Sequence, residues 1–123
     1  MPIVDVELVC TSEAEFRSVS AAALADAVGD VLGSAPGHTW LRLRWLSDTC
    51  YAENASAVLP AGDLPVFVTV LHAQLPEPAA LDAEVSALTL AVAGAVARPA
   101  GRVHVLYAPA AAGRQAFGGH LVR

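Results

Sequence analysis

The chain carries one pattern of elements twice, and that repetition limits the folds open to it. From Pro2 onward, Pro-Ile-Val-Asp-Val-Glu-Leu-Val alternates, placing Val4, Val6 and Leu8 on one face and Asp5 and Glu7 on the other, the period of a half-buried strand. Ser12-Glu13-Ala14-Glu15 has the form of a capping box. Phe16, Val19, Leu24, Val28, Val31 and Leu32 then recur at roughly helical spacing until Gly33, so one helix is expected there. Thr39 to Leu46 alternates again, with Trp40, Arg42 and Arg44 opposite Leu41, Leu43 and Trp45. The second half repeats the order: strand at Pro65 to Leu71, helix at Pro78 to Val96, strand at Arg102 to Tyr107. Pro65 follows Pro2 by 63 positions, while Leu88 and Val92 follow Leu24 and Val28 by 64, so the halves superpose almost without gaps. An internal duplication accounts for this.

A helix between two strands is a crossover long enough to make them parallel, with right-handed connection. The expected fold is therefore α+β: two β-α-β units forming a four-stranded sheet with both helices on one face. The whole chain, 1–123, forms one domain, with repeat one at 2–59, repeat two at 65–123 and Leu59 to Leu64 as the link. Each unit ends in a short tail, Tyr51 to Asn54 and Gln115 to Gly119, of the kind that makes edge hairpins. With 55% hydrophobic residues the core is well supplied, but helices on one side leave the other face of the sheet uncovered. Association with further copies is the economical cover.

Seven Lys and Arg against twelve Asp and Glu, a net charge of −5, argue against a nucleic-acid partner, which needs clustered basic residues. The sequence has no unbroken apolar run of about 18 residues and its start lacks the basic and apolar regions of a signal peptide. A cytoplasmic protein with no membrane partner is expected. Cys10 and Cys50 lack ligand spacing and a CxxC companion, so they are expected to be reduced thiols, one near the core and one in a loop, with no metal and no cofactor.

Proline directly after the initiator Met, opening an alternating strand in a duplicated β-α-β chain, resembles the tautomerase superfamily. That family includes oxalocrotonate tautomerase, macrophage migration inhibitory factor, and malonate semialdehyde decarboxylase and chloroacrylic acid dehalogenase groups. The resemblance spans nearly the whole chain. It rests also on Ala35-Pro36, on Pro65-Val66-Phe67-Val68-Thr69-Val70-Leu71-His72, on Arg102-Val103-His104-Val105, and on Ala116-Phe117-Gly118-Gly119, which is similar to a closing glycine-rich hairpin. It implies a homotrimer whose active sites lie at subunit boundaries, each around an N-terminal proline freed by loss of Met1. Keto–enol proton transfer on a small carbonyl acid is the activity implied, with Pro2 as the base. A terminal amine titrates nearer neutrality than lysine, and the proline ring fixes its direction.

The same resemblance assigns the other candidates. Arg42 matches an arginine that holds a substrate carboxylate in one-repeat relatives; pairing with Asp5 and Glu7 is the competing reading. His104, placed by the repeat where Arg42 stands in the first half, matches a position from which a neighbouring subunit reaches the catalytic proline, where it would stabilise an enol or enolate oxygen. Phe117 and Arg114 fall in the closing hairpin, as an apolar wall and a carboxylate anchor. Tyr107 falls on the opposite strand face from His104 and is expected to pack, and His38 is expected in a loop. Dehalogenase relatives continue beyond the position of His72 into an arginine-containing loop; Ala73-Gln74-Leu75 stands here, which counts against dehalogenation, and hydration and decarboxylation also rank behind tautomerisation. Thr11 and Ser12 replace an arginine of the one-repeat tautomerases, so dicarboxylate specificity is not implied. Two alternatives from other classes remain, a non-catalytic trimeric protein binding small molecules on the same fold and a ferredoxin-like regulatory module.

Overall fold

A computed structural model describes all residues, 1–123. Four strands, β1 (Ile3–Cys10), β2 (Trp40–Ser47), β3 (Val66–Leu71) and β4 (Val103–Tyr107), form one sheet in the order β2-β1-β3-β4. β1 and β2 are parallel, as are β3 and β4, and the two units join through antiparallel β1 and β3. A short hairpin, β5 (Gln115–Phe117) with β6 (His120–Val122), closes the chain. The first tail makes no hairpin: Asp48–Cys50 is a single 3-10 turn and irregular chain follows.

The expected first helix is two, α1 (Glu13–Arg17) and α2 (Ala21–Leu32). Ser12 Oγ accepts from the Glu15 amide, 3.1 Å, and caps α1, while the Glu15 carboxylate accepts from Thr11 N and Oγ1. Ser18 Oγ donates to the Glu15 carbonyl and Ser20 Oγ accepts from the Ala23 amide, so the serines end one helix and cap the next. Gly33, at φ 64°, stops α2 in the left-handed conformation. α3 (Pro78–Val96) matches its expected bounds, with Pro78 at the first helical position.

The even-numbered side chains Val4, Val6 and Leu8, with Val66, Val68 and Val70, meet Leu24 and Val28 of α2 and Leu88, Val92, Ala93 and Val96 of α3 in one core. Each Val and Leu among them contributes about 1.5–3 kcal/mol by leaving water. α3 is long and apolar enough by composition to cross a bilayer, yet its inner face is this core: it is a core helix. Arg98, just past α3 and 7% exposed, ties the repeats together. Its guanidinium donates to the carbonyls of Val9 (2.9 Å) and Leu64 (2.6 Å) and to Glu15 (2.9 Å).

The other sheet face presents Ile3, Asp5 and Glu7, then Trp40, Arg42 and Arg44, then Phe67, Thr69 and Leu71, then His104 and Leu106. No helix covers it; Leu106 is 66% exposed and Trp40 43%. Equivalent residues of the two repeats must share a face, and Ile3 and Val66 do not. The spacing of 64 seen in the helices therefore holds for the strands too, and His104 is the counterpart of Trp40, with Leu106 the counterpart of Arg42. The free thiols lie as expected, Cys10 buried and Cys50 exposed.

Candidate functional site

The start of β1 sits at one end of the sheet, beside the start of β2 and the exit of β3. The Pro2 carbonyl accepts from the Trp40 amide, 3.1 Å. One register step beyond the Ile3–Leu71 pair, His72 stands opposite Pro2. After β4 the chain stays beside the exit of β3, with Ala108 N donating to Val70 O (2.9 Å), Ala111 N to His72 O (3.0 Å) and Ala112 N to Ala73 O (3.0 Å). It then turns back as the β5–β6 hairpin. Gly118 and Gly119, at φ 56° and 88°, supply the two positive φ values its tight turn needs. The hairpin ends against β2, where the Phe117 ring meets Trp40 edge-on at 4.5 Å between centroids. Running from the exit of β3 to the start of β2, it must cross the end of β1 between them, where Pro2 lies.

Gln115 and Phe117 share a face of β5 because they are two residues apart, and Ala116 between them is exposed. The face that sets Phe117 on Trp40 is therefore also the face that buries Gln115. Gln115 is 6% exposed, and neither Nε2 nor Oε1 has a hydrogen-bond partner. Arg114 bonds within its own turn, its guanidinium donating to the Ala110 carbonyl at 2.6 Å.

Beneath the sheet at the same end, Glu84 of α3 accepts from Tyr107 Oη (2.7 Å) and lies 2.9 Å from His72 Nε2, and the His72 and Tyr107 rings stack at 6.0 Å. Burial, then the Glu84 carboxylate, pushes the Tyr107 phenol well above its ordinary range. Tyr107 thus packs on the helix side, as its spacing from His104 implies. His38 is exposed, in the loop before β2.

On the open face Arg42 grips Asp5 with two bonds, Nε to Oδ1 at 2.6 Å and Nη2 to Oδ2 at 2.8 Å. The hydrogen bond from Arg42 holds the Asp5 carboxyl below its ordinary value. Within one chain the pairing reading of Arg42 is the one realised. His104 lies at the far end of the sheet, beside Phe67 at 5.6 Å between centroids. There Tyr51 Oη (2.6 Å) and Arg102 (2.9 Å) donate to Glu53, whose carboxyl the Tyr51 bond lowers. Tyr51 and Glu53 also line a cavity of about 130 Å³ with Val58, Leu59 and Leu64. Phe67 pairs with Glu7, five residues along β1 from Pro2, so roughly 16 Å of strand separates His104 from Pro2 in one chain. No three His, Cys, Asp or Glu side chains converge as metal ligands.

The structure thus gathers Pro2, Phe117 and Gln115 at one end, leaves Arg42 on the open face, and puts His104 at the other. Gln115 escapes sequence reading: a glutamine in a glycine-rich tail looks like a turn residue, and only its two-residue spacing from Phe117 hints at a shared face.

No family model matches the sequence, and no curated protein does. Solved structures match closely. A fused 4-OT symmetric trimer superposes with a TM-score of 0.74 at 16% identity, covering 98% of this chain and 94% of that one. Macrophage migration inhibitory factor from Oncomelania hupensis gives 0.71 at 19% identity, over 100% and 83%. FG41 malonate semialdehyde decarboxylase inhibited by 3-bromopropiolate gives 0.66 at 16% identity, over 94% and 90%. The chain shares the fold of these structures along nearly its full length.

Proposed function

We propose that the chain is a tautomerase that moves a proton between carbon and oxygen on a small carbonyl acid, with Pro2 as the base once Met1 is removed. One observation carries this reading: a proline second in the chain opens a central strand of this fold, and the closing hairpin crosses that strand's end. In enolisation the Pro2 nitrogen takes the proton from the carbon next to the carbonyl. The C–H electron pair becomes the C=C bond, and the carbonyl π pair moves onto oxygen, which needs a hydrogen-bond donor to hold its charge. The proline ammonium then gives that proton to the enolate oxygen, completing the enol; ketonisation runs in reverse, with Pro2 taking the hydroxyl proton and delivering it to carbon.

His104 is a donor for that oxygen only from a second subunit, since it stands at the opposite end of its own sheet. The uncovered face, mixing apolar and charged side chains, supports an assembly of copies, and a fused 4-OT of the same fold is a trimer. Phe117 forms an apolar wall over the site. Arg42 serves as a carboxylate anchor if the substrate displaces Asp5, and Arg114 is the second candidate for that task.

The test is ketonisation of phenylenolpyruvate by protein whose N-terminal mass shows Met1 gone, beside Pro2→Ala. Turnover reduced by about a hundredfold or more in the variant is expected, from the range of general-base contributions. Equal rates, or no turnover by processed protein, would leave a binding protein of the same fold.

A further inference from the structure

We propose that Gln115 is the polar contact that recognises the oxo or enol oxygen of a 2-oxo acid bound at Pro2, a specificity residue resting on the site reading given above. A side-chain amide that is 6% exposed with neither its donor nor its acceptor paired is rare, because a buried polar group without a partner destabilises the fold. Gln115 has no such partner in its own chain although the turn before it is well bonded. Gly113 N donates to the Val122 carbonyl (2.6 Å) and Arg114 N to that of Ala111 (2.8 Å). The hairpin is therefore built firmly and holds the amide at a fixed place.

That place is set by the anchors on either side. Ala111 and Ala112 fix the hairpin's base to His72 and Ala73 at the exit of β3, and Phe117 fixes its tip to Trp40 at the start of β2. Gln115 lies between these anchors, on the buried face of β5. With the hairpin crossing the end of β1, a ligand whose reacting carbon lies against the proline nitrogen would reach this amide with its nearest oxygen once the hairpin parts to admit it.

An amide suits both forms of such a ligand. Nε2 donates to the carbonyl oxygen of the keto form and to the enolate between the forms, while Oε1 accepts from the hydroxyl of the enol. A carboxylate at this position would repel an enolate, and a lysine would serve only the keto and enolate forms. Glutamine fits a site that binds both tautomers of a neutral oxygen.

The experiment follows the Gln115 side-chain NH2 resonances of processed, 15N-labelled protein during titration with phenylpyruvate, then repeats the titration on Gln115→Met. The expected results are a saturable shift of those resonances and a Kd raised about tenfold or more in the variant. Gln115→Met should also melt at or above the wild-type temperature, because it removes a buried unpaired amide while keeping the side chain's volume. An unmoved resonance or an unchanged Kd overturns the proposal, as does a loss of binding that merely follows a loss of folded protein in the melt. Pro2→Ala separates this result from the base assignment. If it turns over as fast as wild type while the Gln115 resonances still shift, the amide contact stands and the proline base does not; if turnover depends on Pro2 and the resonances do not shift, the reverse holds.

Discussion

Arg42 serves two readings at once, and its surroundings decide which a measurement will see. Its guanidinium is 69% exposed and bound to Asp5, so solvent screens the pair and it adds little to the fold, and Arg42→Ala should change the melting temperature little. If the substrate carboxylate takes the place of Asp5, the same variant raises KM for phenylenolpyruvate more than it lowers kcat; an unchanged KM leaves Arg42 as a partner of Asp5 alone. The pairing was legible in the sequence, because alternation puts Asp5 and Arg42 on the same faces of two strands that a crossover makes parallel neighbours. The place of His104 was harder to read. Matching His104 to Arg42 implies a spacing of 62, and a two-residue slip keeps the sheet face, so alternation does not expose it; only the observed register fixes the spacing at 64 and moves His104 to the position of Trp40. Gln115 was not legible as a site residue, since its meaning comes from the path of a hairpin anchored by residues far apart in the chain.

At the scale of elements, the strands and α3 follow from hydrophobic period, and their bounds fall within a residue of expectation. The split between α1 and α2 does not follow, because serine is tolerated in a helix and only the hydrogen bonds made by Ser18 and Ser20 turn that stretch into an end and a cap. α1 is held mainly through Glu15, which receives Thr11 and the buried Arg98. Burial raises the Glu15 carboxyl's pKa, but the bonds from Thr11 and the charge of Arg98 outweigh it, and the net shift is downward from 4.5. A carboxyl with a depressed folded pKa stabilises the fold above its ordinary value and loses that contribution as pH falls through the folded one. Thermal melts should thus show stability falling as pH drops below about 4.5, with a shallower fall for Glu15→Gln. Parallel curves for the two proteins would mean that Arg98 is held by the Val9 and Leu64 carbonyls alone. Arg98→Ala, which strips those carbonyls and Glu15 of their partner, should destabilise by about 3 kcal/mol in chemical denaturation.

The molecule as a whole is a sheet with one dry face and one open face, and its two polar ends stand too far apart to act on one small molecule within a chain. The proposed assembly resolves both features. Sedimentation of the wild type should give three times the 12.6 kDa of a single chain, and Leu106→Asp, which places a charge in the middle of the open face, should shift it to monomer without loss of helix signal. A stable wild-type monomer at micromolar concentration removes His104 from the site. The duplicated fold and its open face were readable from pattern alone, whereas the number of copies was implied only by resemblance. The central claim, that Pro2 acts through a free secondary amine, is tested most directly by adding one residue ahead of Pro2 that is not removed. The added peptide bond draws the nitrogen lone pair into amide resonance while leaving the strand, the hairpin and the core as they were. The extended protein should melt and assemble like the processed protein and lose turnover of phenylenolpyruvate; an extended protein that turns over as fast as the processed one contradicts the claim.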